Sequence, residues 1–373
     1  MGILIDGRTI QDHFPGIARY TYNLTRAMVN AAPAQEFVVL YAPAALNTRY
    51  DLMALKQSPN VRLVAGAAHV FSLREQWRIP RQVKPLAPTL IHFPYYLHPY
   101  RLPTPVVFTA LDLIPLKFPQ YYLPHERLIF RVAMTLAINT ARRIIAISAA
   151  TALDVRQAFG VRADRLATIS LAADPNFFPQ GADRVEATRR TYHLPERYGL
   201  FFASNKPHKN LMRLVEAWAP LAKRVAPLKL VIAGHWDERY PQAKERAEAL
   251  GLTESLLFIG PIPEADLPSL YSGAEWFIFP SLYEGFGLPI VEAMACGTPV
   301  VCADAPGLTE AAGNAALLFD PRNVEAITHA LATTLNDSAL RADLRERGLR
   351  RAGELTWARV AEATLRVYEE CAS

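Results

Sequence analysis

Short runs of β-branched and aromatic residues alternate with helical periodicity twice over in this chain, and that alternation limits the fold more than any other feature. In the first half the runs occupy residues 3–5, 37–41, 61–64, 90–93, 106–109, 143–147 and 166–169. In the second half they occupy residues 200–203, 228–233, 256–259, 276–279, 299–302 and 316–319. Between 203 and 228, Leu211, Leu214, Val215, Trp218, Leu221 and Val225 make an apolar stripe at i, i+3, i+4, i+7 spacing. Continuous apolar strands separated by helices predict parallel sheets covered on both faces. Two such series in 373 residues predict two doubly wound α/β domains, residues 1–180 and 190–354. Residues 174–198, with Pro175, Pro179, Gly181 and Pro195, read as the linker. A polar, Arg-rich helix over 338–352 precedes an amphipathic one over 357–368.

A hydrophobic fraction of 51% with 20% charged residues excludes disordered, collagenous and disulfide-scaffold classes. Three cysteines in a chain this long suggest a reducing compartment. Residues 1–6 read as a buried strand rather than a signal peptide, and no run of 18 apolar residues occurs, so a cytoplasmic protein is expected. Residues 1–180 hold 19 Lys/Arg against 10 Asp/Glu, whereas the remainder holds 21 against 25. A basic half of this kind suits an anionic partner, although a solvated helix face explains dispersed arginines such as Arg74, Arg78, Arg127 and Arg131 equally well.

The chemistry concentrates in residues 279–301, FPSLYEGFGLPIVEAMACGTPVV. An apolar strand runs into a loop with Gly285 and Gly287, and Pro289 stands where a helix can start. Glycines let the backbone approach a ligand, and the helix start offers free N–H groups and positive dipole to an anion. A diphosphate is the natural occupant. Glu284 before the nest and Glu292 one turn into the helix accept hydrogen bonds from hydroxyls but repel phosphate. Phosphates on the amides and sugar hydroxyls on the glutamates is the economical arrangement. A tight turn with one acid favoured by the dipole would explain a lone Gly-x-Gly. Two glutamates with seven residues between them, around Gly-Phe-Gly-Leu-Pro, are far more specific.

Together with PGIARY at 15–20, PHKNL at 207–211 and LYSGA at 270–274, this motif makes the chain resemble the retaining GT-B glycosyltransferases of family 4 over nearly its whole length. The likeness is strongest to bacterial mannosyltransferase-like members that build O-antigen and exopolysaccharide. It implies two facing Rossmann-like domains, with a C-terminal helix (355–373) crossing back to the first. The implied reaction moves a hexose or 6-deoxyhexose, from a GDP-sugar by preference, to a glycan or polyprenyl-diphosphate-linked acceptor with retention of configuration. By the same resemblance Glu284 holds sugar hydroxyls, and the backbone of Gly285, Phe286, Gly287 and Leu288 meets sugar and diphosphate. Glu292 takes the ribose, and Lys209 neutralises the leaving diphosphate. Gly16 lets backbone approach the phosphates from the first domain, and Ile262 lies by the nucleobase. Asp112 orients the reacting loop, or simply caps a turn.

Two positions depart from the family. Relatives commonly carry His-Asp after the fifth strand; here Leu111 precedes Asp112. Leucine neither donates nor accepts a hydrogen bond, which implies either impaired activity or a 6-deoxy sugar donor. An arginine common two turns before Lys209 is replaced by Ser204, with Lys206 as a partial substitute. His208 stands where an arginine is common, and an exposed ring is expected there. No Asp-x-Asp occurs and the nine histidines have no metal-ligand spacing, so neither a cofactor nor a metal is expected. The aromatic segments 94–100 and 118–122 on the basic half suit an acceptor at an anionic membrane surface, and loop packing explains them as well. No Gly-x-Gly-x-x-Gly supports a dehydrogenase, and no recognised motif supports nucleic-acid binding. A non-catalytic sugar-nucleotide-binding scaffold remains the competing reading.

Overall fold

The computed structural model describes residues 2–372; Met1, counted above with the first strand, and Ser373, counted with the last helix, lie outside the described residues. Thirteen strands form in this span, each with bounds within two residues of an apolar run, because strands buried on both faces carry an uninterrupted apolar signal. The chain divides into two compact units. One runs to Leu171 and resumes at Thr356; the other holds Ala172–Leu355.

In the first unit the strands are β1 (Ile3–Asp6), β2 (Phe37–Tyr41), β3 (Val61–Ala65), β4 (Leu90–Phe93), β5 (Val106–Ala110), β6 (Arg143–Ala146) and β7 (Leu166–Thr168). They form one parallel sheet in the order β3-β2-β1-β4-β5-β6-β7. The C-terminal helix Trp357–Ala372 packs on the first helix, Pro15–Ala31, and beside β4 and β6. A buried polar chain ties it there. Tyr368 Oη lies 2.6 Å from His92 Nδ1, and His92 Nε2 lies 2.9 Å from Thr109 Oγ1, so one ring nitrogen donates and the other accepts. Thr109 Oγ1 in turn lies 2.8 Å from Tyr20 Oη. Burial pulls the His92 imidazole down to about 3, and the ring stays neutral.

The second unit holds β8 (Tyr198–Phe202), β9 (Lys229–Ala233), β10 (Leu256–Gly260), β11 (Trp276–Phe279), β12 (Val300–Ala303) and β13 (Ala316–Phe319). The order is β10-β9-β8-β11-β12-β13, again all parallel. Its core includes the fully buried Trp218 and Trp276. Gly199 is paired directly with Trp276, and a Cβ there would sit 2.1 Å from the indole ring, so only glycine lets β8 lie beneath that side chain. Residues 174–198, read as a linker, belong to this unit and contain the helix Ala182–Thr191, which packs on Leu267–Ser272. That helix buries only Thr188 and is otherwise polar, so it carries almost no apolar period to read.

Candidate active site

In an open parallel sheet ligands bind beyond the carboxyl ends of the strands, where the strand order reverses. In the second unit that point lies between β8 and β11, because the chain leaves β8 toward β9 and leaves β11 toward β12. Two loops emerge there. The loop after β8 ends in the single turn Pro207–Lys209, and the loop after β11 runs into the helix Leu288–Ala295.

Asn210 fastens these loops together. It holds a left-handed backbone (φ 61°) at the start of the helix Leu211–Ala222, and its buried side-chain amide donates to Pro280 O (3.1 Å) and Pro321 O (2.7 Å). Leu282 N donates to His208 O at 2.8 Å. The result brings Lys209 and Glu284, 75 positions apart, to a Nζ–Oε1 distance of 2.6 Å. Their side chains are only 17% and 13% exposed, and the ammonium also lies 5.4 Å from the Phe279 ring centre. Burial alone would lift the Glu284 carboxyl; the Lys209 charge overrides it and holds the group below the usual carboxylate range.

Gly287 caps the following helix in a left-handed conformation (φ 105°), and Ile290 N donates to Gly287 O at 3.0 Å to close its first turn. Gly307, after β12, has φ 83°, and a Cβ there would lie 2.5 Å from Glu284 O. It lets a third loop close on the Glu284 backbone. Neither Asn210 nor Gly307 was read as functional in the sequence; the only signals were an Asn before an apolar helix and a Pro-Gly after a strand. Asn205 performs a similar service, its amide donating to Asp237 O and Tyr240 O at 2.9 and 2.8 Å.

Of the other sequence-predicted residues, Gly285 and Phe286 are buried in the Glu284 loop and Leu288 opens the helix. Glu292 is fully buried, with the Tyr271 hydroxyl 3.4 Å from Oε2. Ser204 is half-buried and Lys206 exposed in the loop after β8. The Ile262 side chain lies in the hydrophobic core beyond β10, two strands from the switch point. His208, expected to be exposed, is instead 5% exposed, and burial, aided by the Lys209 charge, pushes its imidazole down to about 4.

Two predicted residues belong to the first unit. Asp112 accepts from Ile114 N at 3.0 Å at the start of a short helix, a turn-capping contact. Gly16 is the second residue of the helix Pro15–Ala31, and a Cβ there would meet nothing within 4 Å. Beyond β1 the crevice is filled by the fully buried Arg8, which pairs with Asp6 (2.7 Å) and Glu75 (3.1 Å). Beyond β2 and β3 lies a cavity of about 620 Å³ lined in part by Gly66, Ala68, His69, Ser72, Arg74 and Arg78.

Residues 15–177 match the family model described as Glycosyltransferase Family 4, and residues 189–351 match Glycosyl transferases group 1. The chain belongs to the GT-B glycosyltransferases. Over 99% of its length this glycosyltransferase is 29% identical to the O-antigen chain mannosyltransferase B of Escherichia coli, and it covers 100% of that relative. Sucrose-phosphate synthase from Thermosynechococcus elongatus has the same fold, with a TM-score of 0.78 at 21% identity, covering 99% of this chain and 98% of that one. Anabaena HepE in complex with UDP and glucose gives a TM-score of 0.75, also at 21% identity, covering 99% of both chains. The GT-B fold expected from the sequence is therefore the fold found.

Proposed function

We propose that this glycosyltransferase moves a hexose or 6-deoxyhexose from a nucleotide diphosphate sugar, GDP-linked by preference, to a glycan or polyprenyl-diphosphate-linked acceptor, retaining anomeric configuration, in cell-surface polysaccharide synthesis. The observation that carries the reading is the Lys209–Glu284 pair at the β8/β11 switch point, beside a glycine-capped helix start. When the sugar–phosphate bond breaks, negative charge grows on the leaving diphosphate. Lys209 and the amides of the Gly287 turn supply preorganised positive potential for it, so the residues present answer the charge without a metal. Lys206, exposed in the same loop, adds a second cation. Glu284 then accepts hydrogen bonds from the sugar hydroxyls. In the first unit, Arg74, Arg78 and His69 around the 620 Å³ cavity suit an anionic group on the acceptor. The protein would work in the cytoplasm, on the inner face of the membrane.

Turnover and hydrolysis across a panel of GDP-, UDP- and dTDP-sugars test the reading, with GDP-mannose against GDP-rhamnose as the critical pair. Leu111 favours the deoxy sugar, because an apolar side chain suits a methyl group; the mannosyltransferase relative favours mannose. A clear preference for GDP-mannose ends the deoxy-sugar proposal. Glu284→Ala abolishes transfer and leaves the thermal midpoint nearly unchanged; an equal loss of folding makes Glu284 structural. Leu111 also motivates the second reading, a non-catalytic sugar-nucleotide-binding scaffold. Nucleotide binding with no product from any donor selects it.

A further inference from the structure

In the first unit the strand order reverses between β1 and β4, because the chain leaves β1 toward β2 and leaves β4 toward β5. Loops from the carboxyl ends of β1, β3 and β4 set three rings in a row at that end of the sheet. Phe14 lies 5.0 Å from Phe71, edge to face at 74°, and Phe71 lies 5.4 Å from Tyr95. Phe14 and Tyr95 are half-buried, whereas Phe71 is 37% exposed. Its backbone is left-handed (φ 62°), a conformation that a bulky side chain rarely adopts. Packing of a partly exposed ring is a weak reason to hold that strain.

Arg8 enforces it. The guanidinium donates from Nη1 to Ala68 O at 3.0 Å and from Nη2 to Glu75 Oε2 at 3.1 Å, so one buried side chain closes the segment 68–75 at both ends. The Glu75 carboxylate in turn accepts from the Phe71 backbone N–H. Gly66 makes room for this clamp, since a Cβ there would lie 2.6 Å from Arg8 Cδ. Strain over-determined by its surroundings in this way gathers at ligand clamps and active sites.

We propose that Phe71 is a specificity-determining residue for the acceptor, its ring held out by the Arg8–Glu75 clamp to stack on the C–H face of a pyranose. A pyranose carries hydroxyls around its rim and C–H bonds across its faces, so it suits an aromatic ring beneath it and polar groups at its edge. His69 and Ser72, on either side of Phe71, line the cavity beyond β2 and β3 and supply those polar groups. A nucleobase also stacks on aromatic rings, but Lys209 and Lys206, which answer its diphosphate, belong to the other unit. The proposal rests on the glycosyl-acceptor reading above. Its test uses no donor, so the two fail separately.

The test is saturation-transfer difference NMR of the full chain with the methyl glycosides of mannose, rhamnose, glucose and galactose. Mannitol, which has hydroxyls but no ring face, is the control. At least one glycoside is expected to receive saturation on its ring C–H protons, and mannitol none. Phe71→Asn removes the ring and suits the left-handed backbone; it is expected to raise the apparent Kd about tenfold with the thermal midpoint unchanged or higher. Phe71→Leu keeps apolar bulk against Phe14 and Tyr95 and is expected to lose the sugar equally, whereas Phe71→Tyr keeps it. The proposal is overturned if no glycoside receives saturation, or if mannitol receives as much as the glycosides do. It is overturned equally if the asparagine or leucine variant binds as the parent does, or if the tyrosine variant loses the sugar as they do. Saturation transfer to the base of GDP that both ring-lacking variants lose assigns the ring to the nucleotide and overturns it too.

Discussion

Asn210 does more for the candidate site than its place beside Lys209 suggests. Its side chain satisfies two buried carbonyls, and its backbone sits in a region that costs an ordinary residue about 1 kcal/mol. Asn210→Ala is expected to destabilise by roughly 2–4 kcal/mol, the loss of both contacts plus that strain. Asn210→Gly, which keeps the backbone free, should be about 1 kcal/mol milder in denaturant titrations. His208 makes the second unit sensitive to acid. Its folded-state value of about 4 lies under the ordinary ~6.5, so the unfolded chain binds a proton first as pH falls. Stability contributed by the neutral ring is whole above pH ~6.5 and drains by up to ~1.4 kcal/mol per pH unit until pH falls through the folded value. Tryptophan fluorescence unfolding curves between pH 7 and 4 read this, since Trp218 and Trp276 both lie in that unit, and His208→Asn should flatten the slope.

Pairing of β8 with β11 creates the crevice, and Gly199 permits the pairing. Gly199→Ala drives a methyl into the fully buried Trp276 ring, so overpacking is expected to cost 3 kcal/mol or more and to lower the thermal midpoint of the second unit. All thirteen strands could be read because each is a short apolar run, and the glycine turn with its two glutamates could be read because residues at 284–292 are local in sequence. What escaped was long-range or polar. The helix Ala182–Thr191 has hardly an apolar face, so the prolines and glycine that flank it (Pro175, Pro179, Gly181 and Pro195) dominate the segment and it reads as a linker. The grip of Asn210 on Pro280 and Pro321 spans 70 and 111 positions, a contact that no local pattern announces. His208 is expected to be exposed because it stands where an arginine is common; it is buried instead, in a loop bonded to Leu282, 74 positions away.

At the scale of the whole molecule, the chain builds most of one unit, then all of the other, and returns to finish the first. Removing residues 356–373 uncovers His92 and Tyr20 and strips the C-terminal helix from β4 and β6. Hydrogen exchange of such a truncated chain should find β8–β13 protected as before, while β4, β5 and the helix Pro15–Ala31 lose protection by orders of magnitude. If both units lose protection together, the second does not stand by itself. During synthesis the same order of assembly has a practical outcome. A ribosome that has already released a finished second lobe still carries an earlier lobe with its hydrophobic flank open, waiting for residues 356–372 to arrive. Chaperones, rather than the eventual native contacts, must guard that flank for the whole time it takes to translate the intervening residues.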